Sequence, residues 1–230
     1  MTDDSIEKFD KIIPFTLKNS KVRGRFVKLD QSLNTILKRH NYETPISLSL
    51  ADILCSSCCI GSLLKFKGFF TIQGSSKDTL KTILAEYSSE GGIRGYASYD
   101  SKKTIPGKDK LNLDQLMSKG HLAFTAIESK SNKRYQGIIP VQEGNFSNSI
   151  DYYFQNSEQI NSEIICLSDF SDNNYISAAI LIQCTPEGNN SLNDDYDVFE
   201  EAKLFLNSIK KTELLSRNIS IEDLLYKLFH

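Results

Sequence analysis

The side chains most able to do chemistry in this chain are five cysteines, Cys55, Cys58, Cys59, Cys166 and Cys184. Cys55-Ser-Ser-Cys58 has the C-x-x-C spacing in which two thiols can cycle with a disulfide or supply half of a zinc site. Neither chemistry is completed. No second pair stands at a usable distance, and the segment is apolar, without the cations that stabilise a thiolate. Buried cysteine ordinarily packs as a small hydrophobe, which is the reading preferred for these three and for Cys166 and Cys184, both in strand-like runs. A thiol-dependent redox enzyme using Cys55 and Cys58 is the alternative.

The three histidines, His40, His121 and His230, lack H-x-x-H or H-E-x-x-H spacing. No nucleophile elbow, Walker loop or dinucleotide fingerprint occurs, and Glu90-Gly-Gly-Ile-Arg-Gly-Tyr96 lacks the Lys-Ser of a phosphate cradle. Its glycines are read as a turn and a strand irregularity. No catalytic residue and no metal ligand is assigned, and the chain is expected not to be an enzyme and to carry no cofactor.

Composition narrows the class. The 230 residues suffice for one domain with an appendage, and 27 basic against 29 acidic residues spread along the chain leave no electrostatic footprint for nucleic acid or an anionic membrane. The acidic start Met1-Thr-Asp-Asp-Ser-Ile-Glu7 is no secretory signal. No later window is read as reaching the ~18–20 apolar residues of a membrane span. An odd cysteine count fits a reducing cytoplasm.

The elements that would position these residues follow from periodicity. Arg25–Leu29 reads as a strand end, and Asp30 or Ser32 caps a helix with Leu33, Ile36 and Leu37 on one face. Pro45 closes the next loop. Ser47–Lys65 is apolar or small on nearly every side and reads as a buried helix. Phe66–Gln73, Thr79–Tyr87 and Ile93–Tyr99 form an antiparallel meander, and Leu111–Lys119 is a short helix closed by Gly120. Two hairpins follow, Leu122–Glu128 with Tyr135–Val141 and Ile164–Leu167 with Tyr175–Cys184, separated by a helix capped by Ser147. Segregated strands and helices predict an α+β fold: a mostly antiparallel sheet body over residues 1–185 with a buried helix.

Thr185–Asp194 is a polar stretch with Pro186 and Gly188, after which only helical patterns remain, so 186–230 reads as an all-helical linker region. Asp194 or Asp195 can cap a helix whose Val198, Ala202, Phe205, Leu206 and Ile209 share a face. Ser220 caps the last helix, with Leu224, Leu225 and Leu228 at its apolar edge. No Gly or Pro terminates it, and the chain reads as shortened there.

Several segments together resemble the heat shock protein 33 family of redox-regulated, ATP-independent holdase chaperones. They are Val22-Arg23-Gly24-Arg25 before the Ser32–His40 helix and Tyr42, Leu64-Lys65-Phe66-Lys67-Gly68 with Ile72-Gln73, and Ile93-Arg94-Gly95-Tyr96-Ala97. They continue with Arg134-Tyr135-Gln136-Gly137-Ile138, Asp151-Tyr152-Tyr153-Phe154 with Ser157-Glu158-Gln159, and Lys211-Thr212-Glu213-Leu214-Leu215 before Leu225-Tyr226-Lys227-Leu228-Phe229-His230. The resemblance implies a homodimeric, cytoplasmic stress-response chaperone that binds unfolded proteins and is activated by oxidation. It also implies a C-terminal domain whose C-x-C and C-x-x-C pairs bind zinc; none of those cysteines is present, so that switch domain is expected to be absent and zinc with it. The chain is then expected to bind clients without an oxidative trigger, through the body and through Val198, Ala202, Phe205, Leu206, Ile209, Leu224, Leu225 and Leu228, residues that could equally serve to dock the linker helices.

Overall fold

A helix with apolar residues all around needs walls on every side, and two antiparallel sheets supply them. The computed structural model describes residues 9–18, 20–103, 105, 111–184 and 192–229, with backbone alone over 192–196. The first sheet has the order β1 (Lys11–Thr16), β2 (Val22–Leu29), β9 (Asn174–Cys184), β8 (Ser162–Ser171). The second runs β5 (Ile93–Tyr99), β4 (Leu80–Ser88), β3 (Gly68–Ser75), β6 (His121–Glu128), β7 (Arg134–Pro140). Between them lies α2 (Thr44–Gly61), against β2, β8 and β9 on one side and β3, β4 and β5 on the other. Every residue of α2 from Pro45 to Gly61 is buried. The α+β class is as expected from the sequence, and the antiparallel body is built as two sheets.

By length and composition α2 is apolar enough to cross a membrane, which corrects the expectation that no window comes near a span; 94% of that window is buried inside the molecule. The same composition that would suit lipid here fills a protein core. Pro45 does not close a loop but opens this helix, where its missing N–H is an orphan donor anyway. The helix stops at Gly61 rather than Lys65, where a Cβ would fall 2.4 Å from the Tyr87 ring. Gly95 is no strand irregularity: the β4–β5 register runs through it without a break, and a side chain there would press on Leu50 and Leu54 of α2.

Two hairpins follow the sequence closely. Asp172 and Asn173 both have positive φ, the conformation of a tight two-residue β-turn, and they join β8 to β9 in register from Ser171↔Asn174 to Ser162↔Gln183. The β6–β7 hairpin pairs His121↔Pro140 through Ile127↔Arg134. The smaller helices are α1 (Gln31–Leu37), α3 (Leu113–Leu116) and α4 (Phe146–Tyr153), the last continuing into one π-helical turn, Phe154–Glu158. Asn145, not Ser147, caps α4, its side chain accepting from the Asn148 amide at 3.2 Å.

The opposite face of the first sheet is covered by α5 (Leu192–Ser208), α6 (Lys211–Leu214) and α7 (Ile221–Phe229). α5 begins before Asp194 and Asp195, so these lie within the helix and do not cap it. Ser220 does cap α7, accepting from the Asp223 amide at 3.0 Å. Most of the polar stretch before α5 lies outside the described residues.

Candidate functional site: the covered face of the first sheet

Alternation along β2 and β9 sorts side chains between two cores. Val27, Leu29, Ala179 and Leu181 point to α2, whereas Val22, Phe26, Ile176, Ala178, Ile180 and Ile182 form a second apolar layer. On that layer sit Phe199, Ala202 and Leu206 of α5, Leu214 of α6 with the adjoining Leu215, and Ile221 and Leu224 of α7. Lifting the three helices would therefore uncover a contiguous apolar sheet face and an apolar helical face together.

Of the residues singled out in the sequence, Ala202, Leu206 and Leu224 are in this interface, and Val198, Ile209, Leu225 and Leu228 are half-buried at its margin. Phe205 is not: it is 44% exposed, next to Leu204 at 73%. Phe199 takes the place assigned to it. The signal was present, because Phe199, Ala202 and Leu206 have the i, i+3, i+7 spacing of one helix face, but Val198 and Phe205 flank that stripe and are as apolar as its members.

Polar contacts join the helical region to the body at four places. Lys28, in the middle of β2 and 1% exposed, donates from Nζ to the carbonyl oxygens of Ser216 (2.6 Å) and Ile219 (3.4 Å) and lies 5.4 Å from the centre of the Phe9 ring. Burial disfavours its charged form and lowers its pKa to about 8. Arg217 forms an ion pair with Asp30, whose carboxyl is pushed up by burial and pulled down by that guanidinium. On the other side Lys203 reaches Glu163 at 3.2 Å, and Asn207 donates to the same carboxylate at 3.0 Å. Beneath them Asp151 accepts from the Ile164 amide at 3.2 Å, and its pKa is pushed up to about 8 by burial and then by the Glu163 charge. Lys211 pairs with Asp169 at 2.7 Å across an exposed edge.

The cysteines of α2 are inside the other core. Cys55 donates weakly to the Val27 carbonyl oxygen at 3.7 Å, and Cys59 to those of Arg25 and Ala179 at 3.6 Å. Burial pushes all three α2 thiols up, Cys58 to about 12. A thiolate is thus disfavoured where redox or zinc chemistry would need one. Cys55 and Cys58 do not fit a zinc site, and among the described residues no three His, Cys, Asp or Glu side chains converge to hold a metal. Cys166 is buried and Cys184 half-buried. His40 stacks on Tyr42 at 5.1 Å, His121 opens β6, and His230 lies outside the described residues.

Comparison with known proteins agrees with this architecture. The family model described as "Hsp33 protein" matches residues 10–230. The "33 kDa chaperonin" of Pasteurella multocida is 29% identical over 230 residues, covering 100% of this chain and 75% of the relative. That of Vibrio vulnificus is 29% identical over 216 residues, 94% of this chain and 70% of the relative. The crystal structure of the 33 kDa chaperonin (heat shock protein 33 homolog) from Thermotoga maritima superimposes with a TM-score of 0.80 at 19% identity, over 95% of this chain and 74% of that one, which speaks to the fold.

Proposed function

Since the chain belongs to the Hsp33 protein family, we propose that it is an ATP-independent holdase chaperone, which captures unfolded polypeptides on apolar surface and keeps them from aggregating. The chain is a chaperone, as its relatives are named; the manner of its action is what is inferred. We divide it into a chaperone body, 1–185, and a helical linker region, 186–230. One observation carries the reading: the linker helices cover an apolar sheet face, yet they do so over a buried lysine charge and through ion pairs at the edge. A buried charge opposes docking while apolar contact favours it, so the cover is held weakly enough to open, and opening offers a client two apolar surfaces without unfolding the α2 core.

The α2 cysteines and Cys166 are buried, so client binding by this chain is expected to need neither their oxidation nor zinc held by them. The protein acts as a cytoplasmic homodimer, without nucleic-acid or membrane partners, and catalyses no reaction. The test is aggregation of a chemically unfolded client under reducing conditions. Suppression at roughly stoichiometric chain supports the reading, and a client that aggregates as fast as without the chain ends it. The thiol-enzyme alternative finds no support in the raised thiol pKa values.

A further inference from the structure

Beyond the C-terminal end of α2 the two sheets are no longer kept apart by a helix, and an open cleft of about 420 Å³ remains. Leu63, Phe66, Phe70, Tyr153, Phe154 and Ile160 wall it, and Arg23 and Gln183 stand on its first-sheet side. Its size falls within the ~300–1,000 Å³ of ordinary ligand pockets, and its mixture of apolar walls with few polar groups is what such pockets share. Arg23 and Gln183 are cross-strand partners in the β2–β9 register. Arg23 Nη2 donates one long hydrogen bond to Gln183 Oε1 at 3.5 Å. Gln183 is 1% exposed, yet among the described residues its Nε2 has no acceptor, nor does Arg23 Nε. A buried donor without an acceptor raises the energy of the protein, and a ligand oxygen that reaches it recovers that energy.

We propose that this cleft is an anchor site for one bulky apolar side chain of an unfolded polypeptide, whose main-chain carbonyl oxygens accept from Arg23 and Gln183. The inference rests on the chaperone reading and gives it a site away from the linker helices. Arg23, Lys65 and Glu158 all line the cleft, and the Glu158 carboxylate accepts from the Tyr153 hydroxyl. The choice of a neutral peptide rests on the uncharged Gln183 donor and the apolar walls, and competition by dodecanoate tests it against an acyl carboxylate. Tyr135, 58% exposed, stands in the same lining on edge strand β7 and extends apolar surface outward for the rest of a bound segment.

The chain has no tryptophan, so a blocked hexapeptide, acetyl-Gly-Ser-Trp-Leu-Ser-Gly-amide, reports its own environment by emission. Titrated with the full chain it should shift to the blue and saturate at one peptide per chain. Ala126→Phe, which fills the cleft from β6, should weaken binding at least about tenfold. Gln183→Leu removes an unpaired buried donor, so its melting temperature should hold or rise while affinity falls about fivefold, the worth of one hydrogen bond. No saturable binding, or an affinity unchanged from the unsubstituted chain in both variants, overturns the proposal. So does dodecanoate that displaces the peptide and loses affinity in Arg23→Met, which would make the cleft an acyl-carboxylate site. Aggregation suppression by the same preparation separates the two readings: if it persists while the peptide ignores the cleft, the anchor site falls and the chaperone stands.

Discussion

Lys28 Nζ donates to the carbonyl oxygen of Ser216 at 2.6 Å, joining the middle of the first sheet to a turn 188 residues further along the chain. The lysine makes this contact almost wholly out of water. Its pKa is lowered to about 8 by burial, so the native state binds fewer protons than the unfolded state between about pH 8 and pH 10.4. Stability therefore rises with pH across that window, and below pH 8 the full cost of burying the charge is present. Lys28→Met should dock the helices more firmly at pH 7, by about 1–3 kcal/mol. Hydrogen exchange of the α5 and α7 amides should slow in the variant, and the difference from wild type should shrink by pH 10.

Asp151 has the opposite sign. Its carboxyl is pushed up to about 8, so the native state binds more protons than the unfolded state between about pH 4 and pH 8, and stability falls as pH rises through that range. Asp151→Asn retains an oxygen to accept from the Ile164 amide but cannot ionise. Urea midpoints should coincide near pH 4, and at pH 8.5 the variant should be more stable by on the order of 2–3 kcal/mol.

The linker interface should be sensitive at Leu206 and indifferent at Phe205. Leu206 is fully buried, and Leu206→Ala should weaken docking by about 2–4 kcal/mol, seen as faster exchange across α5 and as greater binding of a hydrophobic dye. Phe205→Ser changes an exposed side chain and should shift stability by less than about 0.5 kcal/mol.

Thiol chemistry gives a check that needs no client. In the folded protein Cys55, Cys58, Cys59 and Cys166 should resist a disulfide reagent and then react together on denaturation. Elemental analysis of the 230-residue chain should return no stoichiometric zinc; a full equivalent would overturn the packing role of Cys55 and Cys58.

What was legible in the sequence depended on whether a pattern was local. The all-round apolar composition of α2 and the Asp172-Asn173 turn depend on neighbours, and both were readable. Pro14 hides β1 in the sequence by breaking its run, and a proline is tolerated there because β1 is an edge strand. The partition into two sheets rests on β2 pairing with β9 across the whole body, a contact no local pattern encodes. The covered face was half legible. Ala202, Leu206 and Leu224 carried the helical period, while Phe199 and Phe205 could be told apart only by what lay opposite them. Lys28 was invisible as a buried charge, since nothing around it in sequence marks the strand face on which it lies.

β9 is buried on both faces along nearly its whole length, one side against α2 and the other under the linker helices. It is thus a party wall between two compartments, and each can be vacated without demolishing the other. In a calorimeter such a molecule should melt in two steps: a small early transition as the outer compartment empties, then a larger one when the wall itself gives way.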